Sequence, residues 1–167
     1  MKNRKVDVTI TPFQKSHEQG VIDLIVHIQQ NEFNLPITAS DQPDLKDVKG
    51  VYQKGAGNFW VAYDGDEILG TIALLDIGYH RAALRKMFVR ASSRGEAGIA
   101  KKLLRVLIQW ARTHGIREVF LGTTPKFLAA HRFYEKNRFR EIDSKELPRT
   151  FPVMKVDTKF YKYEIEV

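Results

Sequence analysis

Residues 84–139 read LRKMFVRASSRGEAGIAKKLLRVLIQWARTHGIREVFLGTTPKFLAAHRFYEKNRF, and this stretch decides the fold. An apolar run (Leu84, Met87, Phe88, Val89) enters a short polar loop over residues 91–97. Ile99, Leu103, Val106, Leu107 and Trp110 then recur at the i, i+4, i+7, i+8, i+11 spacing of one helical face, which predicts a helix over residues 98–114 with Gly115 as its C-terminal cap. Val119 to Leu121 predicts a strand, and residues 127–136 a second helix that carries Tyr134. Strand, small-residue loop and helix start, in that order, form a phosphate cradle, because free N–H groups at a helix N-terminus carry partial positive charge. A strand–helix–strand connection of this kind is expected to be a right-handed parallel crossover.

Working outward, the N-terminal half predicts an antiparallel meander. Residues 5–10 alternate, with Val6, Val8 and Ile10 on one face, and Thr11-Pro12 is expected to end that strand. Ser16 and Gln19 have capping-box spacing before a helix over about residues 17–31. Asp41 or Asp44 is expected to start a short second helix using Leu45, Val48 and Tyr52. Strands follow at 59–63, 68–77 and 83–89, the first two joined by an Asp64-Gly65 turn that tolerates positive φ. Beyond residue 136, strands are expected at 139–142 and 156–165.

Bulk properties bound the function. The 167 residues are 43% hydrophobic and 28% charged, which predicts one globular domain spanning residues 1–167. Cysteine is absent, which removes disulfides, thiol nucleophiles and Cys-ligated zinc and fits a cytoplasmic setting. No apolar run approaches roughly 18 residues, and MKNRKVDVTI has no apolar region behind its basic residues, so neither a membrane span nor a secretory signal is expected. The formal charge of +7 raises nucleic-acid binding as a reading, but the basic residues are spread out and interleaved with acids.

Met87-Phe88-Val89, Arg94-Gly95-Glu96-Ala97-Gly98-Ile99-Ala100, Leu103-Leu104 and Ala130-x-x-Phe133-Tyr134-x-x-x-Arg138-Phe139 together resemble the GNAT superfamily of acetyl-CoA-dependent N-acetyltransferases. The order of strands and helices agrees along nearly the whole chain. The resemblance implies a mixed, mostly antiparallel seven-stranded sheet flanked by about four helices and splayed between strands 4 and 5, with acetyl-CoA in the split. It implies a co-substrate site built from Met87, Phe88 and Val89 on the fourth strand, and from Arg94 through Ala100 with Lys101 around the pyrophosphate. Thr123, Phe127, Ala130 and Phe133 complete that site, although Thr123 reads equally as a strand-end turn and Phe133 chiefly as packing. Tyr134 is then the general acid that protonates the leaving thiolate. No metal is implied. The acceptor is a primary amine on a small molecule or peptide, and many members of the superfamily are homodimers.

Three departures qualify the resemblance. The phosphate loop is one residue longer than usual. Arg138 replaces a glycine before the last Phe. Ala83 stands where many members carry a glutamate serving as base. Glu32, His80, Asp76 or water are the alternatives for that base, and Tyr79 and Phe33 are candidates to line the acceptor cleft. A non-catalytic acyl-CoA-binding module is the rival reading; Ala83 favours it and Tyr134 opposes it.

Overall fold

Seven strands form one sheet in the order β1-β2-β3-β4-β5-β7-β6. The computed structural model describes residues 7–94 and 98–166. Strands β1 (Thr9–Pro12), β2 (Asn58–Asp64), β3 (Glu67–Gly78) and β4 (Arg81–Val89) make the antiparallel meander. β5 (Glu118–Thr123) runs parallel to β4, and β7 (Lys159–Glu164) lies antiparallel between β5 and β6 (Arg140–Ile142). Helices α1 (Glu18–His27) and α2 (Val48–Val51) cover one face, and α3 (Ile99–Thr113) and α4 (Leu128–Lys136) the other.

The predicted elements are present with shifted ends. Pro12 does not break β1; it pairs with Trp60 on the edge strand, where a missing N–H costs no ladder bond. Residues 5 and 6 of that prediction lie outside the described residues. Ser16 does not cap the first helix. A 3₁₀ turn at Lys15–His17 precedes α1, and the Gln14 N–H donates to His17 Nδ1 at 3.1 Å. α1 ends at His27 and widens over Ile28–Glu32, where the Phe33 N–H donates to the Ile28 carbonyl at 3.2 Å. Neither Asp41 nor Asp44 starts α2; the Asp47 carboxylate accepts the Gly50 N–H at 3.2 Å and caps it. The last strand begins at Lys159 instead of 156, leaving residues 153–158 as a loop.

α3 sits on the sheet through Ile99, Leu103, Leu104, Leu107, Ile108 and Ala111, with Val106 and Trp110 only half-buried at the edge of that stripe. It stops as expected at Gly115, whose φ is +78°. The Gly115 N–H donates to the Arg112 carbonyl at 3.5 Å and the Ile116 N–H to Ala111 at 2.9 Å, the paired closure of a Schellman motif. A Cβ on Gly115 would meet nothing closer than His80 Nδ1 at 3.8 Å, so the cost of substitution is backbone alone. Gly115→Ala is expected to lower stability by about 1–2 kcal/mol in urea unfolding with an unchanged m-value.

Two irregularities shape the site. First, β4 and β5 pair only at Arg81↔Glu118, Ala82↔Val119 and Ala83↔Phe120, and then part, so Leu84–Val89 and Leu121–Thr123 face one another across an open split. Second, β4 carries a bulge opposite β3: Thr71 pairs with Phe88 but Ala73 with Arg85, and Lys86 adopts φ +54°. The Thr71 hydroxyl donates to the Lys86 carbonyl at 2.6 Å and holds the bulge. The extra residue resets the alternation. Leu84 and Val89 both enter the core under α3, although five residues apart, whereas Phe88 packs on the α1 side.

Candidate active site

The split widens into a cleft of about 960 Å³ that runs from the α3–α4 face of the sheet to the loops at 33–42 and 151–157. Its lining includes Met87, Phe88, Val89, Arg94, Ala100, Thr123, Phe127, Ala130, Phe133 and Tyr134, all named from the sequence. Ile99 is instead buried beneath α3, and Lys101 is exposed on its outer side. Gly95, Glu96 and Ala97 lie outside the described residues.

Tyr134 projects from α4 toward the cleft and is 5% exposed. Its ring packs against Phe139 at 5.4 Å and Tyr161 at 5.9 Å. Its hydroxyl has no hydrogen-bond partner among the described residues. Burial, with Tyr161 nearby as a lesser cause, raises its pKa well above the usual phenol value, so it stays protonated at neutral pH. Tyr161 is otherwise engaged, donating to Glu135 Oε2 at 2.5 Å.

At the start of α3, Gly98 sits at φ +58° with no atom within 4 Å of an added Cβ. Among the described residues, neither a side-chain cap nor a first-turn acid satisfies the helix start. Its N–H groups and dipole therefore remain available to an anion.

Of the base candidates, Glu32 is bound through both carboxylate oxygens by Arg94, one of these contacts being Nη2 to Oε2 at 2.9 Å. Arg94 also donates to the Val89 carbonyl at 2.9 Å. Glu32 thus ties the turn after α1 to the end of β4, and its carboxylate is occupied by Arg94. His80 lies at the far end of β4, its Nδ1 3.0 Å from the Gly115 carbonyl. Asp76 accepts the Ala56 and Gly78 N–H groups, each at 2.9 Å. Tyr79 is 86% exposed in the β3–β4 turn and does not line the cleft, whereas Phe33 does, packed edge-on against Phe127 at 4.6 Å.

Sequence reasoning missed a charged set behind the bulge. Lys86 donates to Gln42 Oε1 at 2.7 Å and pairs with Asp44 at 3.3 Å, its side chain 7% exposed. Burial lowers its pKa, and the Asp44 charge offsets only part of that. Asp44 also accepts the Tyr52 hydroxyl at 2.6 Å. Arg85, Met154 and Asp157 line the cleft on this same side. The one signal in the sequence was the broken alternation of Leu84, Met87, Phe88 and Val89, which marks a bulge in an otherwise regular strand.

A mixed sheet opened at its parallel pair, with a helix start that no described side chain caps on one lip and a buried phenol on the other, defines an acyltransferase-like α/β fold. A sequence model of the acetyltransferase (GNAT) family matches residues 22–139, and the chain belongs to that family. It is 38% identical to a GNAT-family acetyltransferase of Staphylococcus aureus Mu50 of known structure, covering 96% of this chain and 100% of that one with a TM-score of 0.92. It is 33% identical over 105 residues to rat N-acetyltransferase family 8 member 2, covering 60% of this chain and 46% of the relative. Against N-acetylaspartate synthetase of Danio rerio it is 36% identical over 105 residues, covering 62% of this chain and 37% of the relative. The chain spans about half or less of the length of these two relatives.

Proposed function

We propose that the protein transfers an acetyl group from acetyl-CoA to a primary amine on a small molecule or peptide, with both substrates bound at once, in the cytoplasm. The observation that carries this is the Tyr134 hydroxyl, protonated and without a partner among the described residues, in a cleft formed where β4 and β5 part. The name of the aspartate-acetylating relative speaks for a small-molecule acceptor.

The cleft fits the co-substrate. Leu84, Met87, Val89, Leu121 and Phe133 line it with apolar atoms suited to a narrow chain, and the unpaired edge of β4 offers backbone groups to an amide-bearing arm. Gly98, Ala100 and the start of α3 hold the pyrophosphate, with Arg94 at the lip of the cleft sharing its charge with Glu32. When bound, acetyl-CoA supplies an activated acyl carbon with a thiolate leaving group. Tyr134 gives that thiolate its proton, and the buried setting keeps water from competing with the amine. Glu32 serves to hold Arg94 and is not the base. Ala83 is buried in the apolar cluster with Phe120 and Phe151, so the usual position of the base is a packing position here.

Calorimetric titration with acetyl-CoA, without acceptor, tests the site. Saturable one-to-one binding is expected, and no binding at millimolar ligand would overturn the reading.

A further inference from the structure

Arg85 and Asp157 line the cleft with no role in the chemistry above and no ion pair among the described residues, whereas the other cleft carboxylate, Asp41, accepts the Thr38 N–H and hydroxyl at 2.9 and 3.0 Å. Arg85 leaves β4 at the bulge, on the side away from Tyr134. Its guanidinium donates to the Met154 sulfur at 3.3 Å and lies 5.9 Å above the Tyr52 ring. Neither partner is an anion, and no carboxylate of the described residues comes within 4.0 Å of it. The neighbouring cations differ. Lys86 is taken by Asp44 and Gln42, Arg94 by Glu32, and Lys126 donates to the Phe33 carbonyl at 3.3 Å. Lys155 stands exposed at the rim.

Asp157 approaches from the other lip. One carboxylate oxygen accepts the Met154 N–H at 3.1 Å. The same oxygen lies so close to β5 that a Cβ on Gly122 would meet it at 2.6 Å, so glycine is required there for the carboxylate to reach this position. Met154 therefore joins the two groups, its sulfur to Arg85 and its N–H to Asp157. A cation and an anion are held along one cleft, beyond ion-pair distance of each other. That is the complement of a ligand that carries both charges itself.

We propose that the acceptor is a primary amine bearing its own carboxylate, an amino-acid-like molecule, with the Arg85 guanidinium holding the carboxylate and Asp157 receiving the amine. The proposal rests on the acetyl-transfer reading. Arg85 suits the task because its planar fork meets a carboxylate through two parallel N–H bonds. Asp157 removes one proton from the incoming ammonium and passes it to water. The freed nitrogen lone pair forms the C–N bond as the C–S bond breaks. Tyr134 gives its proton to the sulfur and regains one from the nitrogen, so the net products are the amide, the free thiol and one released proton. Burial holds the Asp157 carboxyl above the ordinary carboxylate range, against smaller lowering by the Met154 N–H and the Arg85 charge.

The test is CoA release by the full chain with a matched panel: free amino acids, their carboxamides, and simple amines. Free amino acids should exceed their carboxamides in kcat/KM by about 10-fold or more, the worth of a charge-assisted hydrogen bond. In Arg85→Gln the KM for the carboxylated acceptor should rise by about 10- to 100-fold, with KM for the carboxamide and for acetyl-CoA unchanged. Asp157→Asn should lower kcat/KM for every amine. Equal use of acids and amides by the unaltered protein, or a loss in Arg85→Gln that falls alike on both, overturns the proposal and leaves acetyl transfer standing. Failure to release CoA with any amine of the panel overturns both. The comparison on the unaltered protein needs no variant, so a substitution that fails to fold leaves it decisive.

Discussion

Tyr134→Phe is expected to lower kcat by about 10²-fold or more while leaving acetyl-CoA affinity and thermal midpoint nearly unchanged. The two halves of this expectation have separate causes. The ring supplies the packing, against Phe139 and Tyr161, and phenylalanine keeps that ring. The hydroxyl has no partner among the described residues, so its removal breaks no hydrogen bond, and the lost group matters only when a thiolate forms beside it. Because burial raises its pKa, the folded state holds this proton more tightly than the unfolded chain does. The stability this brings is therefore full below the unfolded phenol value, about 10, and declines only as pH rises above it. Tyr134 should add no alkaline limb to the kcat profile below about pH 10. Unchanged turnover in Tyr134→Phe would remove the residue from the chemistry.

Asp44→Ala is expected to cost about 3–5 kcal/mol, the largest loss of stability from a single polar side chain here. Asp44 is the only carboxylate among the described residues that serves Lys86, and it also accepts the Tyr52 hydroxyl. Without it, a buried ammonium keeps only the Gln42 carbonyl oxygen, at 2.7 Å. Gln42 is itself held by Gln29 through reciprocal amide bonds of 2.8 and 3.3 Å, so it cannot turn to offer more. For a chain of this size the midpoint should fall by about 10 °C or more. Asp44→Ala/Lys86→Met should recover most of the loss, since removing both charges leaves only the Tyr52 hydroxyl unmatched. The depressed pKa of Lys86 adds a check. Its folded form releases the proton more readily than the unfolded chain, so this group contributes rising stability as pH climbs toward 10.5. A cost in Asp44→Ala below about 1 kcal/mol, within the range of an exposed pair, would show that the network does not stabilise the fold.

The fold was largely legible in the sequence where one element's own spacing carried the information. The α3 stripe, the Gly115 cap, the Asp64-Gly65 turn and the crossover from β4 to β5 are local or nearly so. The helix starts were less legible. Ser16 and Asp44 have suitable chemistry, but Gln14 with His17 and Asp47 occupy the geometry that caps require. Tyr134 stood out by its distance from the phosphate loop. Arg85, Lys86 and Asp157 did not, because their partners come from segments remote in sequence. Asp44 meets Lys86 from 42 residues away, and Met154 meets Arg85 from 69.

By itself the sequence determined a strand–loop–helix that holds phosphate and a tyrosine that follows it, because periodicity and small residues act within a few turns of chain. Only the tertiary structure decided which face each charge takes. One extra residue in β4, held by Thr71 and by the left-handed Lys86, turns the strand's later side chains over. That turn puts Val89 under α3 beside Leu84, five residues before it, while Arg85, just ahead of the bulge, enters the same cleft as Asp157. A bulge depends on how two strands pair, and that pairing is settled by the packing of the whole sheet and not by the residues of either strand.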